Sequence, residues 1–87
     1  MDADAALKAL AGPRRREILL IVRDRELSVG EIASRFEVTR PAISQHISVL
    51  RNAGLIEERR DGARRLYRAR PEGVAELRDY LSGFWGG

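Results

Sequence analysis

The chain has 87 residues, enough for one domain with one small core, and its 16 Lys and Arg against 13 Asp and Glu give a net charge of +3. A basic domain suits a polyanionic partner, although this charge alone is weak evidence for one. The absence of cysteine excludes disulfides and thiolate metal sites. The longest apolar run, residues 18–22, is too short for a signal peptide or a membrane span, so we expect a cytoplasmic protein.

Two helices are predicted in the N-terminal third. Residues 3–10 are rich in Ala and Leu, and their apolar stripe includes Leu7 and Leu10. Because two helical turns do not hold alone, this helix needs a surface to dock on, which a second subunit would provide. A proline that suits a first helical turn, Pro13, then starts a more apolar helix over residues 13–26.

Three consecutive arginines, residues 14–16, crowd the start of the second helix, where the helix dipole favours acidic side chains. Two interpretations are open. The arginines contact phosphate groups of a nucleic acid, or they form a solvated charge run that Glu17 and Asp24 balance.

A helix-turn-helix is predicted over residues 28–54. Ser28 and Glu31 stand in the spacing of a capping box, which begins the first of its two helices. Thr39 is a good N-cap for the second helix, and Gly54 is well placed to end it in a left-handed conformation.

The second of these helices has one apolar face, formed by Ile43, Ile47 and Leu50, and an opposite face of short polar side chains without acidic residues. This opposite face could be ordinary solvated surface, but most surface helices carry Glu or Lys there. Short donors and acceptors can approach base edges in the major groove. The predicted DNA-reading residues are Thr39, Arg40, Pro41, Ser44, Gln45, His46, Ser48 and Arg51.

A β-hairpin is predicted next, over residues 55–70, with Asp61-Gly62 as its turn and with Ile56 and Leu66 as apolar partners across the strands. Its tip is rich in arginine and could reach the DNA backbone or the minor groove, although a solvated hairpin is the alternative. The predicted DNA-contacting arginines are Arg59, Arg60, Arg64 and Arg65.

A final helix is predicted over residues 71–85. It carries more large apolar side chains than one small subunit can easily bury, and an exposed patch of this kind usually marks an interface. We expect a two-fold dimer contact between the first and last helices. The predicted interface residues are Leu7, Leu10, Leu77, Leu81, Phe84 and Trp85.

With this order of elements, the chain resembles the ArsR/SmtB family of bacterial winged-helix repressors over almost its whole length. The resemblance is carried by ALAGPRRREIL at residues 9–19, ELSVGEIA at 26–33, VTRPAISQHISVLRNAGLI at 38–56 and RRDGARRLYRA at 59–69. It implies a homodimer that binds double-stranded DNA at a partly palindromic operator. It also implies that five residues face the major groove, with the wing arginines on the backbone. Those five are Thr39, Arg40, Ser44, Gln45 and Ser48.

The resemblance does not extend to the family's metal sites. Arsenic-sensing members carry Cys-x-Cys where this chain has Ser28 and Gly30, and zinc-sensing members place Asp and His on the last helix, which here has no His. Carboxylates alone make a poor transition-metal site. The chain therefore resembles the cysteine-free, non-metal branch of the family, and we expect no metal and no cofactor.

The predicted fold is mainly α with a small β-hairpin, a winged helix-turn-helix of order α-α-α-α-β-β-α that forms a dimer. A single domain, residues 1–87, would contain the helix-turn-helix 28–54, the wing 55–70 and dimerisation helices 3–10 and 71–85. The predicted function is a homodimeric repressor that occludes a promoter, with autorepression included. The alternative is a winged-helix module that binds protein without specific DNA binding. No pair of residues is suited to catalysis, since Ser44 and His46 point apart on their helix.

Overall fold

Seven helices and strands follow one another in the computed structural model, which describes residues 2–86; Met1 and Gly87, the ends of the predicted domain, lie outside that range. The order is the predicted one, with four helices, a hairpin and a last helix. The elements are α1 (Ala3–Ala11), α2 (Pro13–Ile21), α3 (Val29–Ala33), α4 (Arg40–Asn52), β1 (Ile56–Asp61), β2 (Arg64–Ala69) and α5 (Pro71–Ser82), which ends in a 3₁₀ turn (Gly83–Trp85). No helix within residues 2–86 is long and apolar enough to cross a bilayer.

The helix boundaries around the helix-turn-helix follow from local capping. The Ser28 hydroxyl accepts from the Glu31 N–H at 3.2 Å and the Glu31 carboxylate accepts from the Ser28 N–H at 2.9 Å, so the predicted capping box of α3 is confirmed. Thr39 Oγ1 accepts from the Ala42 N–H at 3.3 Å and caps α4. Gly54, at φ +79°, follows α4 in the left-handed conformation that favours glycine.

The core lies beneath α4 and draws on every helix of the chain. Ile43, Ile47 and Leu50, the predicted apolar face of α4, are buried. They join the other large buried side chains of the core, which are Ile18, Val22, Leu27, Ile32, Leu55, Ile56, Tyr67 and Leu77. The spacing of the apolar residues on α4 therefore predicted its buried face correctly, because these residues lie on one side of the helix and can be buried together.

The second helix is shorter than predicted and ends at Ile21 instead of residue 26. The Ala69 N–H donates to the Val22 carbonyl at 2.9 Å, so the chain leaves the helix to bond the end of β2. Two further backbone bonds of 2.8 and 3.0 Å join Leu27 to Tyr67 and add a bridge beside the hairpin. These long-range backbone bonds replace those that a longer α2 would have made.

The wing is an antiparallel hairpin whose cross-strand register differs from the predicted pairing. Ile56 lies opposite Ala69, and Leu66 lies opposite Arg59, so Ile56 and Leu66 are not partners. The loop residues are Gly62 and Ala63, one position later than predicted. Gly62 has φ +63°, the positive value that the first loop position of a type II′ turn requires.

The arginines at the start of α2 bond to the end of α1. Arg15 donates to the carbonyls of residues 8 and 9, at 3.3 and 2.6 Å, and Arg16 donates to those of residues 10 and 11, at 2.7 and 3.3 Å. These are the last four carbonyls of α1, which lack partners within the helix. Arg14 pairs with Glu17 at 3.5 Å and lies 4.8 Å from the ring centroid of Phe36. The ion pair between Arg14 and Glu17 agrees with the interpretation of these arginines as a solvated charge run. The hydrogen bonds by which Arg15 and Arg16 cap α1 were not predicted.

Candidate nucleic-acid interface

The outward face of α4 is open to solvent over its whole length. Because Ile43, Ile47 and Leu50 fix the buried side, the opposite side chains point away from the protein. The exposed residues of the predicted reading set are Thr39, Arg40, Pro41, Ser44, Gln45, Ser48 and Arg51. Seven of the eight predicted residues thus share one accessible surface, which a groove of DNA could reach.

His46 is the exception in the predicted reading set. Its ring is half-buried, and its Nδ1 lies 3.4 Å from Arg15 Nη1 on α2. Burial lowers the pKa of His46, and the nearby charges of Arg15 and Arg14 lower it further, so the ring is neutral at neutral pH. His46 lies on the shoulder of α4 that faces α2, apart from the exposed residues of the predicted reading set, and its contact with DNA stays a prediction.

A polar depression of about 390 Å³ lies where α3, the start of α4 and the wing meet. Its lining residues are Ser28, Val29, Gly30, Arg40, Ser44, Arg64, Arg65 and Tyr67. The guanidinium of Arg40 rests so close to Gly30 that a Cβ there would overlap it. Three arginines therefore converge beside the reading face, an arrangement that suits a backbone phosphate.

Three of the predicted DNA-contacting arginines are already paired with glutamate. Arg59 donates two hydrogen bonds to the Glu26 carboxylate, a bidentate ion pair with distances of 2.8 and 2.9 Å. Arg64 donates to Glu31 at 2.8 Å, and Arg51 donates to Glu58 at 2.9 Å. Much of the positive charge on these three side chains is thus offset within the protein.

The pKa values of the paired groups follow the same geometry. The hydrogen bond from Arg59 holds the pKa of Glu26 below its usual value, and the Glu26 carboxylate raises the pKa of Arg59. Hydrogen bonds from the backbone and side chain of Ser28, then the charge of Arg64, lower the pKa of Glu31. Both carboxylates are therefore ionised at neutral pH.

The other predicted arginines have no carboxylate partner in the part of the chain that the structure describes; they are Arg40, Arg60 and Arg65. Within residues 2–86 they form no ion pair and donate no hydrogen bond to another side chain. They are exposed, and Arg40 and Arg65 both line the polar depression. These three are the cations of α4 and the wing that are available to phosphate.

The sequence analysis did not predict which glutamates pair with these arginines and which arginines stay unpaired. Glu26 and Glu31 each lie 33 residues from their arginine partners, so no local spacing links them. Glu58 could have been found from the hairpin, because it lies directly opposite Tyr67, whose hydroxyl donates to it at 2.9 Å. Cross-strand neighbours of this kind are the usual contacts of a hairpin face.

The predicted dimer residues fall into three groups by exposure. Phe84, Trp85 and Leu7 are 69, 70 and 37% exposed, and Leu10 and Leu81 are half-buried against the core. Leu77 is only 6% exposed. The expectation that α5 could not bury Leu77 within its own subunit is wrong, because the side chain packs into the core below α4.

The positions that carry cysteine in arsenic-sensing proteins have other roles here. Ser28 caps α3, and Gly30 makes room for the guanidinium of Arg40. In residues 2–86 no group of three or more His, Cys, Asp or Glu side chains is arranged to hold a metal ion.

Comparison with known proteins agrees with this geometry. Residues 12–58 match the family described as "Bacterial regulatory protein, arsR family". The chain is 45% identical over 82 residues to the HTH-type transcriptional regulator Rv2034 of Mycobacterium tuberculosis, covering 94% of this chain and 77% of that protein. It is 49% identical over 55 residues to the transcriptional activator HlyU of Vibrio cholerae, covering 63% of this chain and 51% of that protein. Other relatives are named repressors.

Solved structures confirm the fold. A crystal structure titled as a possible transcriptional regulator for arsenical resistance superposes with a TM-score of 0.84 at 40% identity. The superposition covers 94% of this chain and 85% of that one. The winged helix-turn-helix predicted from the sequence is thus confirmed, and the relatives are regulators of transcription. The chain belongs to the ArsR family of bacterial regulatory proteins and is a DNA-binding transcriptional regulator, not an enzyme.

Proposed function

We propose that the chain is a homodimeric repressor that occludes a promoter, its own included, by binding a partly palindromic operator. The observation that carries this proposal is the continuous surface formed by the outward face of α4 and the polar depression beside it. A protein that covers a promoter needs no further activity to repress it. Its target would be chromosomal DNA, so we place the protein in the cytoplasm.

Two kinds of contact are distributed over this surface. Ser44, Gln45 and Ser48 are short or planar polar side chains on the exposed face of α4, which suits them to base edges in the major groove. The unpaired Arg40, Arg60 and Arg65 would bind phosphates, which supply affinity without sequence choice. Arg51, Arg59 and Arg64 would join only by giving up their glutamate partners.

Dimerisation is supported by the apolar side chains that the subunit leaves exposed. Leu7 on α1 and Phe84 and Trp85 after α5 are the members of the predicted interface that face solvent, with Leu10 and Leu81 partly exposed beside them. Soluble monomers rarely leave large aromatic side chains grouped in this way. A two-fold dimer would place its two α4 helices in successive major grooves, roughly 34 Å apart.

A direct test is fluorescence anisotropy with DNA from upstream of the gene and with a scrambled duplex of equal length, over a salt series. We expect the upstream DNA to bind at least ~10³-fold more tightly, with log K falling linearly with log salt by ~0.9 for each phosphate contact. Equal binding of both duplexes would contradict specific recognition at this promoter. A promoter–reporter fusion then separates repression, which lowers expression, from activation.

The second candidate is a winged-helix module that binds a protein partner without specific DNA binding. The observation in its favour is that glutamates offset Arg51, Arg59 and Arg64. A complete absence of DNA binding at low salt would support it over the repressor.

A further inference from the structure

An apolar groove of about 390 Å³ runs between the C-terminal part of α2 and the N-terminal part of α5. Leu20 is 62% exposed at its edge, and Val74 is 38% exposed on its wall. The remaining apolar lining comes from Leu19, Ala69, Pro71 and Ala75. Exposed leucine and valine beside an open groove are costly to leave in water, so an apolar group from outside the subunit is the expected occupant.

The rim of the groove is cationic. Arg23 and Arg78 border it, and each pairs with the exposed aspartate next to it in sequence, Asp24 at 3.3 Å and Asp79 at 3.5 Å. Guanidinium groups stack well on the face of an indole ring. A groove with aliphatic walls and arginines at its rim therefore suits tryptophan.

The chain itself carries such a side chain at the far end of α5. Trp85, the only tryptophan of the protein, is 70% exposed. The 12 residues of α5 span ~18 Å, so Trp85 lies far from the groove of its own subunit. Pro71 and Arg78 stand seven residues apart on the side of α5 that lines the groove, and Trp85 follows Arg78 by another seven residues in the 3₁₀ turn that ends this helix.

Two-fold symmetry brings the two features together. In an isologous dimer with antiparallel α5 helices, the end of one helix lies beside the beginning of the other. Trp85 of one copy then faces Pro71 and Val74 of its partner, and the reciprocal contact forms at the same time. Arg78 approaches its own symmetry mate, and Asp79, 3.5 Å from it, offsets their repulsion.

We propose that, in the homodimer, the Trp85 indole of each copy inserts into the groove between α2 and α5 of the other copy. The inference rests on the proposed homodimer and assigns its central contact. Phe84 has a different role, because it packs edge-to-face on Tyr80 of α5 in its own subunit, with ring centroids 5.5 Å apart. Buried aromatic anchors of this kind usually carry most of the energy of an interface.

The contact also connects the dimer interface to the DNA-reading helix. One wall of the groove belongs to α2, whose Ile18 packs in the core with the buried face of α4, as does Val22 directly after the helix. The Val22 carbonyl also accepts the Ala69 N–H at the end of the wing. Insertion of Trp85 therefore fixes the two DNA-reading units of the dimer relative to one another.

Because Trp85 is the only tryptophan, its fluorescence reports the contact in the native protein. We expect a short-wavelength emission maximum in the dimer that moves to longer wavelength on dilution, together with dissociation measured by light scattering. A dimer with solvent-type emission at every concentration would overturn the proposal and leave the homodimer intact. A monomer at every concentration would overturn both.

Val74→Arg should block the groove, weaken dimerisation by at least about 30-fold and shift the emission to longer wavelength. Val49→Arg is the matched control, because Val49 is 41% exposed on α4 and the substitution is the same. The control should keep both the dimer and the emission maximum. If Val74→Arg dimerised as strongly as the unaltered protein, the proposal would be contradicted, whether or not the circular dichroism spectrum of the variant changed.

A mixing experiment tests the contact between subunits. A Trp85→Leu chain has no tryptophan but an intact groove, and a Val74→Arg chain has Trp85 but a blocked groove. Mixing the two should return the emission to short wavelength, since one of the two contacts is restored in the mixed dimer. No change on mixing, with the mixed dimer detected by native mass spectrometry, would overturn the proposal.

Discussion

The protein has two arginine-rich segments, the start of α2 at residues 14–16 and the wing at residues 59–65, and they use the same side chain in opposite ways. At the start of α2, Arg15 and Arg16 donate to carbonyls of α1 and so complete the fold. In the wing, Arg59 and Arg64 are paired with glutamates from before and within α3, whereas Arg60 and Arg65 are unpaired. A cluster of arginines in a sequence therefore does not define a phosphate site; what matters is which guanidinium groups lack a partner in the folded chain.

The largest effect on DNA binding is expected from the unpaired arginines. Arg60→Ala with Arg65→Ala should remove two phosphate contacts from each subunit and four from the dimer, lower the salt slope by ~3.6 and weaken binding to every sequence by about 4,000-fold at ~0.1 M salt. Anisotropy titrations over a salt series measure both quantities. Arg68→Ala on the same hairpin is the control, since Arg68 is paired with Glu57 at 3.2 Å. An unchanged slope in the double variant would remove the wing from the phosphate contacts.

The first arginine segment should affect stability more than DNA contacts. Arg15→Ala removes charged donors to two α1 carbonyls and should lower the free energy of unfolding by about 1.5–3 kcal/mol, measured by urea denaturation. The salt slope of DNA binding should stay the same. A lower slope with unchanged stability would reverse the assignment and make Arg15 a phosphate ligand.

Releasing a paired arginine should strengthen DNA binding. Glu26→Gln keeps the shape of the side chain but frees the charge of Arg59 in both subunits, so we expect the salt slope to rise by ~1.8 and affinity to rise about 60-fold at ~0.1 M salt. Glu57→Gln changes the net charge equally but releases Arg68 instead. An equal gain in both variants would attribute the effect to net charge and not to Arg59.

These pairings also mark the limit of what the sequence could predict. The capping box of α3, the Thr39 cap and the buried face of α4 depend on residues a few positions apart, so their spacing was sufficient. The partners of Arg59 and Arg64 lie 33 positions away and become neighbours only when the wing packs beside α3. The early end of α2 was not predicted for the same reason. It depends on a backbone hydrogen bond from Ala69, which is distant in sequence.

The smallest expected effect concerns His46, the one predicted reading residue that faces the first arginine segment. Its pKa is lowered in the folded chain, mainly by burial and then by Arg15 and Arg14, so the unfolded chain binds a proton first as the pH falls through ~6.5. Stability should therefore decrease as the pH falls through the unfolded pKa of ~6.5 and level off below the lower pKa of the folded chain.

His46 is the only histidine, so His46→Gln, which retains an acceptor for Arg15, should make the free energy of unfolding nearly independent of pH in this range. The carboxylates Glu26 and Glu31 do not interfere, because their lowered pKa values place their effect at more acidic pH. An equal pH dependence in both proteins would show that His46 is not held neutral by α2. Arg59 and Arg64 in the wing stand beside carboxylates that must stay charged, whereas Arg15 stands beside a ring that must stay neutral. Acidification below pH ~6.5 therefore weakens the contact of His46 with α2 while the glutamate pairs of the wing persist.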